Sequence, residues 1–381
     1  MSLFVELIRI SIGALGNLSY IPSAKEWRQM FEISKKQKTV GISFYGIQRL
    51  FNEFPETVAN LPAELKISWM VIVVNIQKRN EMMEDYTYKT LHLFRENGFE
   101  CQVLKGGGIA HLYEDDNVDK LKDFKSLSSL ASLRHSSDID IWVSGTREQL
   151  YWFSIKTFGK IKGVTYHHIH FPIYDNVEIE VHSWPSFLAS PKRNHRLQKF
   201  CKKYKPKSAC GDTPSLVFNR VYILLHCYVH FAHKGVNISQ FIDYYYVLKA
   251  SQKHEQGNIW KQESFRWIES LGMRKFAEGT MWLMKEIFGL DYKCLICEPK
   301  KEYGIFMLNE LFKTDNNLNT KNNANCKIQQ IALGRYLRNL KHDFDIMKVC
   351  PHEALWEPLW GIYQYIWCKY TKRKFNKHRY E

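Results

Sequence analysis

Two aspartates stand two residues apart in an otherwise apolar run, Asp138-Ile139-Asp140-Ile141-Trp142-Val143. The segment from Ser137 to Val143 alternates as a β-strand does. Both carboxylates then share one face, roughly 7 Å apart, with Ile139, Ile141 and Val143 on the other. Aspartate is a poor strand former, so its appearance twice on one face asks for a reason. Carboxylates at that spacing repel unless positive charge lies between them, and two divalent ions about 4 Å apart would supply it. A solvent-facing edge strand is the plainer alternative, and the pair alone does not choose.

Two further segments carry chemistry. A helical pattern over Glu81–Asn97 closes at Gly98, and Phe99 to Leu104 then alternates as a strand. Lys105 and three glycines follow, after which Ile109, Leu112 and Tyr113 resume at helical spacing. A strand running through glycines into a helix presents backbone N–H groups to a phosphate, and glycine allows close approach. The run is neither a Walker A loop nor a dinucleotide fingerprint, since Lys105 precedes the glycines and His111 stands where a third glycine is needed. A flexible turn is the bland alternative.

Further on, His168–Ile173 and Val177–His182 read as a hairpin about Tyr174-Asp175-Asn176. Glu178, Glu180 and His182 share one face of the second strand, and Glu180, being central, is the candidate third carboxylate. His167, His168 and His170 fall on both faces of the first strand and so are not read as ligands of one ion.

Three segments emerge: an N-terminal helical segment over 1–98, a small mixed α/β unit over 99–190, and a basic linker with a helical domain over 191–381. Ser23 with Glu26, and Asn237 with Gln240, resemble helix caps, and Gly235 closes a helix. Lys192 to Lys207 holds eight basic residues and no acidic one, with Phe200 and Tyr204 interleaved. This is either a funnel for nucleotide or RNA, or a solvated lysine-rich helix. Residues 314–325 form an Asn-rich loop, and a basic tail starts at Lys369. His226, His230 and His233 recur at helical spacing with no acid at fixed distance, which reads as packing rather than metal binding.

The chain of 381 residues is 45% hydrophobic and 14% aromatic, enough for a large core, which excludes global disorder. The formal charge of +15 favours phosphorylated or polyanionic partners without choosing among them. Nine cysteines lack a disulfide rhythm, and Cys294-x-x-Cys297 has no second pair for a zinc site. The apolar run Trp69–Val74 falls far short of the ~20 residues that span a bilayer. With no leader pattern at the start, these features lead to an expected cytoplasmic location.

Leu104-Lys105-Gly106, Arg134-His135-Ser136-Ser137-Asp138-Ile139-Asp140 and Glu180-Val181-His182 occur in that order. The stretch from Leu104 to His182 resembles the nucleotidyltransferase superfamily with a DNA polymerase beta-like catalytic fold. More narrowly, it resembles an uncharacterised bacterial nucleotidyltransferase family marked by a Leu-Lys-Gly turn, an Arg shortly before Asp-Ile-Asp, and an acidic-x-His strand. The likeness continues through Leu224–Leu248, where His226, His230, Gly235 and Asp243 fall in a helical pair. The resemblance implies an α/β (α+β) fold, a polymerase-beta-like core with a mixed sheet between N-terminal helices and a C-terminal helical domain.

It also implies Mg²⁺-dependent transfer, with Mn²⁺ as a substitute, of a nucleoside monophosphate from an NTP to a small-molecule, protein or RNA acceptor. Asp138, Asp140 and Glu180 would be catalytic metal ligands; Lys105, Gly106, Gly107 and Arg134 would meet the nucleotide. Two departures stand out: Ser137 where the family has glycine, and a long segment from Glu114 to Leu133, read as a lid, an acceptor loop or a mark of lost activity. A catalytically silent nucleotide- or RNA-binding module on the same fold is the competing reading.

Overall fold

The computed structural model describes residues 2–113, 129–207, 211–233, 235–255, 257–313 and 344–377. The fold is mixed α/β, a five-stranded sheet with helices on both sides of it in the chain. Helices α1 (Ser2–Ser11), α2 (Ala24–Lys36), α3 (Val40–Glu53) and α4 (Ala63–Glu96) come first. Strands β1 (Cys101–Val103) and β2 (Asp138–Val143), helix α5 (Arg147–Phe158), and strands β3 (Gly163–Val164), β4 (His168–Phe171) and β5 (Glu178–His182) build the sheet unit. Then follow α6 (Pro191–Lys203), α7 (Leu216–His233), α8 (Ile238–His254), α9 (Ile259–Ser270), α10 (Arg274–Trp282), α11 (Lys301–Phe312) and α12 (Pro351–Lys377).

The strand order is β1-β2-β5-β4-β3. β1 and β2 run antiparallel, β2 and β5 parallel, and β5, β4 and β3 antiparallel in turn. In the parallel register Asp138 faces Glu178, Asp140 faces Glu180 and Trp142 faces His182. The period-2 pattern therefore sorts the sheet cleanly. Ile139, Ile141, Ile179, Val181, Ile169 and Phe171 form one face, packed with Met83, Leu91 and Phe94 of α4 and Leu150 and Tyr151 of α5. The acids and histidines occupy the other face.

A second and larger core joins α1–α3 and the first half of α4 to α7–α11. Trp27 and Trp69 are fully buried in it, and the Trp69 indole N–H donates to the Val40 carbonyl at 2.9 Å. Helix α4 therefore belongs to both cores, Leu65, Trp69, Val73 and Ile76 to the larger and Met83, Leu91 and Phe94 to the smaller. At ~1.5 Å per residue it is a beam of about 50 Å. The sequence pattern predicts its second half only. The apolar run Trp69–Val74 lies in its first half, with Trp69 and Val73 inward and Met70, Val71 and Val74 exposed.

The expected caps are present: Ser23 with Glu26 and Asn237 with Gln240 form capping boxes, and Gly98 and Gly235 take positive φ at helix ends. The helix expected after the glycines is instead a pair of single 3₁₀ turns, Gly106–Gly108 and Ala110–Tyr113. The bend is tighter than a helix entry because Gly108 lies against β1; a Cβ there would sit 2.2 Å from the Val103 carbonyl oxygen. The expected Asn-rich loop at 314–325 and residues 114–128 of the long segment lie outside the described residues. No helix among the described residues is long and apolar enough to cross a membrane.

Helix α12 is fastened to α7 by His233, whose Nδ1 lies 3.0 Å from Glu357 and Nε2 3.3 Å from Glu353. Burial opposes charge on this imidazole, but the two carboxylates outweigh it and raise its pKa to about 9. An unfolded histidine titrates near 6.5, so the folded state holds the proton more tightly. The contribution is fully present below pH ~6.5 and is lost as the pH rises through 9. Thermal melts from pH 6 to 10 should show stability falling over that window, and the fall should flatten in His233→Gln. An equally steep fall in the variant would assign the effect to other groups.

Candidate active site

Asp138 and Asp140 project from β2 onto the polar face of the sheet, and Asp140 is only 3% exposed. An ionised carboxylate at that depth needs positive partners. Lys105 supplies one: its Nζ stands 3.3 Å from Asp138 Oδ2 and 3.0 Å from Asp140 Oδ2. Burial works against the ammonium, yet Asp140 and Asp138 together push its pKa above the ordinary lysine value. The lysine is delivered by the glycine bend, where Lys105 and Gly106 take φ of 24° and 42°. A left-handed lysine is uncommon, and here the strain goes with a buried charge cluster.

The second positive partner is His182 of β5. Its Nε2 lies 2.9 Å from Asp140 Oδ1 and 3.5 Å from Glu180 Oε2. Burial disfavours the charged imidazole, but hydrogen bonds to Asp140 and Glu180 raise its pKa to about 9. Glu180 also lies 3.4 Å from His168 Nδ1. Burial pushes the Glu180 carboxyl up, and His182 and Lys105 more than reverse this, leaving it below its ordinary value. Glu178 is more than half exposed and pairs with His170 at 2.7 Å. Between the two candidates, then, Glu180 is the one beside the aspartates.

The predicted residues thus gather on one face: Asp140, Glu180 and His182 offer donor atoms within 4.8 Å of one another, and Lys105 ties Asp138 to Asp140. These hard oxygen donors suit Mg²⁺ or Mn²⁺, and the ammonium between the aspartates marks where positive charge is stabilised. Asp138, Asp140, Lys105, Gly106 and Gly107 line a cleft of about 1550 Å³ that runs between α4, the 3₁₀ turns and the α7–α8 pair. Gly107 is where a side chain would intrude least, its nearest neighbour being Val103 Cγ1 at 3.6 Å from a built Cβ.

Arg134 also lines the cleft, but its guanidinium is already engaged. It grips Asp243 of α8 through Nε–Oδ1 at 2.6 Å and Nη2–Oδ2 at 2.5 Å, and the Tyr113 hydroxyl donates to the same carboxylate. Nη1 remains on the cleft side, bonded to Ser136 Oγ at 3.1 Å, with Gly106 close by. Two residues of α4 hold the same loop: Arg79 donates to the carbonyls of Ser136 and Ser137, and Asn80 to those of Ser132 and Arg134. Ser137, the departure from the resembled pattern, donates to Asp138 Oδ1 at 2.9 Å and so serves the site.

A protein family described as uncharacterised nucleotidyltransferase matches residues 23–289, about two-thirds of the chain. The chain belongs to this family. No curated protein and no solved structure matches it. The family match extends beyond the Leu104–Leu248 stretch legible as motifs and takes in α2–α4 and α9–α10.

Other sequence expectations resolve as follows. His226 and His230 line the cleft, with His226 3.0 Å from the Gln240 amide, whereas His233, at the end of α7, pairs with Glu353 and Glu357 of α12. In the basic run, Phe200 is fully buried against Phe218 and Tyr204 bonds Glu263, so Phe200 is no base-stacking platform. Sequence reasoning gave no role to Asp243, Tyr113, Arg79 or Asn80. Asp243 was visible inside the helical-pair motif, but its partner lies 109 positions away.

Removing one member of a buried ion pair leaves an uncompensated charge, typically costing 3–5 kcal/mol. Asp243→Asn should therefore lower unfolding free energy by about that amount in urea titrations. It should lose more than Asp212→Asn, whose ion pair with Arg95 is exposed. Equal losses would mean that the Arg134 clamp is not a stabilising contact.

Proposed function

We propose that this chain transfers a nucleoside monophosphate from an NTP to an acceptor hydroxyl, using Mg²⁺ held by Asp138, Asp140 and Glu180. The observation that carries the reading is the Lys105 ammonium lodged between two aspartates of one strand that line a cleft larger than the usual ligand pocket of 300–1,000 Å³, with Glu180 paired beside Asp140 on the next strand. The fit of oxygen donors to a hard divalent ion supports the metal assignment.

Magnesium, when bound, supplies Lewis-acid stabilisation of charge on the α-phosphate and lowers the pKa of the acceptor hydroxyl. The chain's own residues do the rest. Asp138 and Asp140 present the acids from one strand face, and the Ser137 hydroxyl and His182 fix their rotamers. When those acids are otherwise engaged, the Lys105 ammonium is released toward the phosphates faced by Gly106 and Gly107. The Nη1 edge of Arg134 borders the same bend. In the transfer, the acceptor hydroxyl gives up its proton to solvent, its oxygen bonds the α-phosphorus, the bond to the α–β bridging oxygen breaks, and pyrophosphate leaves. Glu180 is held below its ordinary pKa, which suits ligation better than proton abstraction. Acceptors remain in three classes, a small molecule, a protein or RNA, and the NTP pool together with free cysteines suits the cytoplasm.

One observation favours a second reading. Lys105 and His182 already supply two positive partners to the aspartates, as they would in a silent module that binds nucleotide without metal. Incubation with labelled ATP, CTP, GTP and UTP plus Mg²⁺ and cell extract separates the two. Transfer of label to extract components, reduced at least ~10³-fold in Asp138→Ala/Asp140→Ala, is expected for the enzyme. Nucleotide binding that is indifferent to Mg²⁺ and to that double substitution, with no transfer, would establish the module instead.

A further inference from the structure

Behind the carboxylates lies a group of imidazoles of which the nucleotidyl reading uses only His182, and that only through Nε2. His167 and His168 stand at the start of β4, and His182 ends β5 beside them. Strand alternation argues against a shared ligand for His167 and His168, but His167 lies in the bend before β4, where alternation does not apply. Its Nε2 reaches His168 Nδ1 at 3.1 Å. Ring nitrogens of His167, His168 and His182 all lie within 4.8 Å of one another. Nitrogens bound to one tetrahedral zinc at 2.0–2.1 Å stand about 3.3 Å apart, so one edge of such a site is already formed.

The surroundings match what metal-bound imidazoles require. A ligating histidine gives its other nitrogen to a carboxylate or a carbonyl. His182 places Nε2 on Asp140 at 2.9 Å, while its Nδ1 is buried with no hydrogen-bond partner among the described residues. His182 itself is 3% exposed. His168 directs Nε2 to His170 Nε2 at 3.0 Å, and the Glu178 carboxylate lies 2.7 Å from His170 Nδ1. Phe187 lies against the His167 ring at 5.0 Å and stacks on Trp360, giving the group an apolar wall. Imidazoles crowded this closely bury polar nitrogens that apolar residues would not, and His182 must release a proton for its Nδ1 to ligate a metal.

We infer that His167 Nε2, His168 Nδ1 and His182 Nδ1 form a three-imidazole site for a borderline divalent transition metal, zinc foremost, with a fourth position for water. The donor type separates it from the oxygen-lined Asp138–Asp140 site, since imidazole selects zinc, cobalt or nickel over magnesium. His182 belongs to both, its Nδ1 to the nitrogen site and its Nε2 to Asp140. Metal there would fix the tautomer of His182 and, through it, the orientation of the Asp140 carboxylate. The inference is independent of the phosphoryl chemistry and stands whether or not nucleotide is transferred.

Metal-stripped full-length protein titrated with Co²⁺ should bind one tight equivalent and develop the intense visible bands of a tetrahedral, nitrogen-ligated ion. His167→Gln and His168→Gln should each weaken that equivalent at least ~10-fold, whereas Asp138→Ala should leave it unchanged. Because a buried histidine variant can fail to fold, X-ray absorption of the zinc-loaded wild type gives a separate count, with three imidazoles expected. Oxygen-only ligation overturns the site, as do fewer than two imidazoles in that count. So does a cobalt spectrum abolished by Asp138→Ala and untouched by His167→Gln.

Discussion

A buried carboxylate must be given positive charge, and Asp140 sets that demand for the whole polar face. It is held by Lys105 on one oxygen and His182 on the other. The lysine comes from a bend whose left-handed geometry is sustained by glycines, one of which has no room for a Cβ. The histidine comes from β5 through parallel pairing with β2. Remove the acid, and neither the odd backbone at Lys105 nor a buried histidine with a pKa near 9 has a physical reason. The same arrangement gathers Asp138, Asp140 and Glu180 with two positive groups, Lys105 and His182, on one face of the sheet.

The shared face of Asp138 and Asp140 was legible, because a strand has period 2 and the intervening residues are all apolar. The choice of Glu180 over Glu178 followed from centrality alone, and the structure adds the reason: Glu178 lies toward the rim with His170, Glu180 inward with His182. What pattern could not give is partnership over distance. β2 and β5 pair in parallel although α5, β3 and β4 lie between them in the chain. Arg134 finds Asp243 across 109 positions, and so a residue that reads as a phosphate contact turns out to be chiefly a clamp. The short 3₁₀ turns after the glycines also escaped, since their side-chain spacing mimics a helix while the close packing of Gly108 on β1 forbids one.

Division into an N-terminal helical segment, a sheet unit and a helical domain describes the chain's order better than its packing. The family match runs across all three, and α1–α4 share one core with α7–α11. Helix α4 enters that core with Trp69 and leaves it to cover the sheet with Phe94. Between these ends, Arg79 and Asn80 fasten the loop that leads into Asp138. One element thus covers the sheet and holds the loop that leads into the first residue of β2.

The cleft is what remains between these tied parts. Its floor is the Asp138–Asp140 strand and the glycine bend, and its far rim carries Lys36, Lys38 and Lys313 from the ends of α2 and α11. The Arg134–Asp243 clamp ties the loop before Asp138 to α8, and Arg79 and Asn80 tie the same loop to α4. The lining sets Lys36, Lys38, Lys105, Arg134 and Lys313 against Glu81, Glu84, Asp138, Asp140 and Asp212, so anions are favoured only toward the lysines at the ends of α2 and α11.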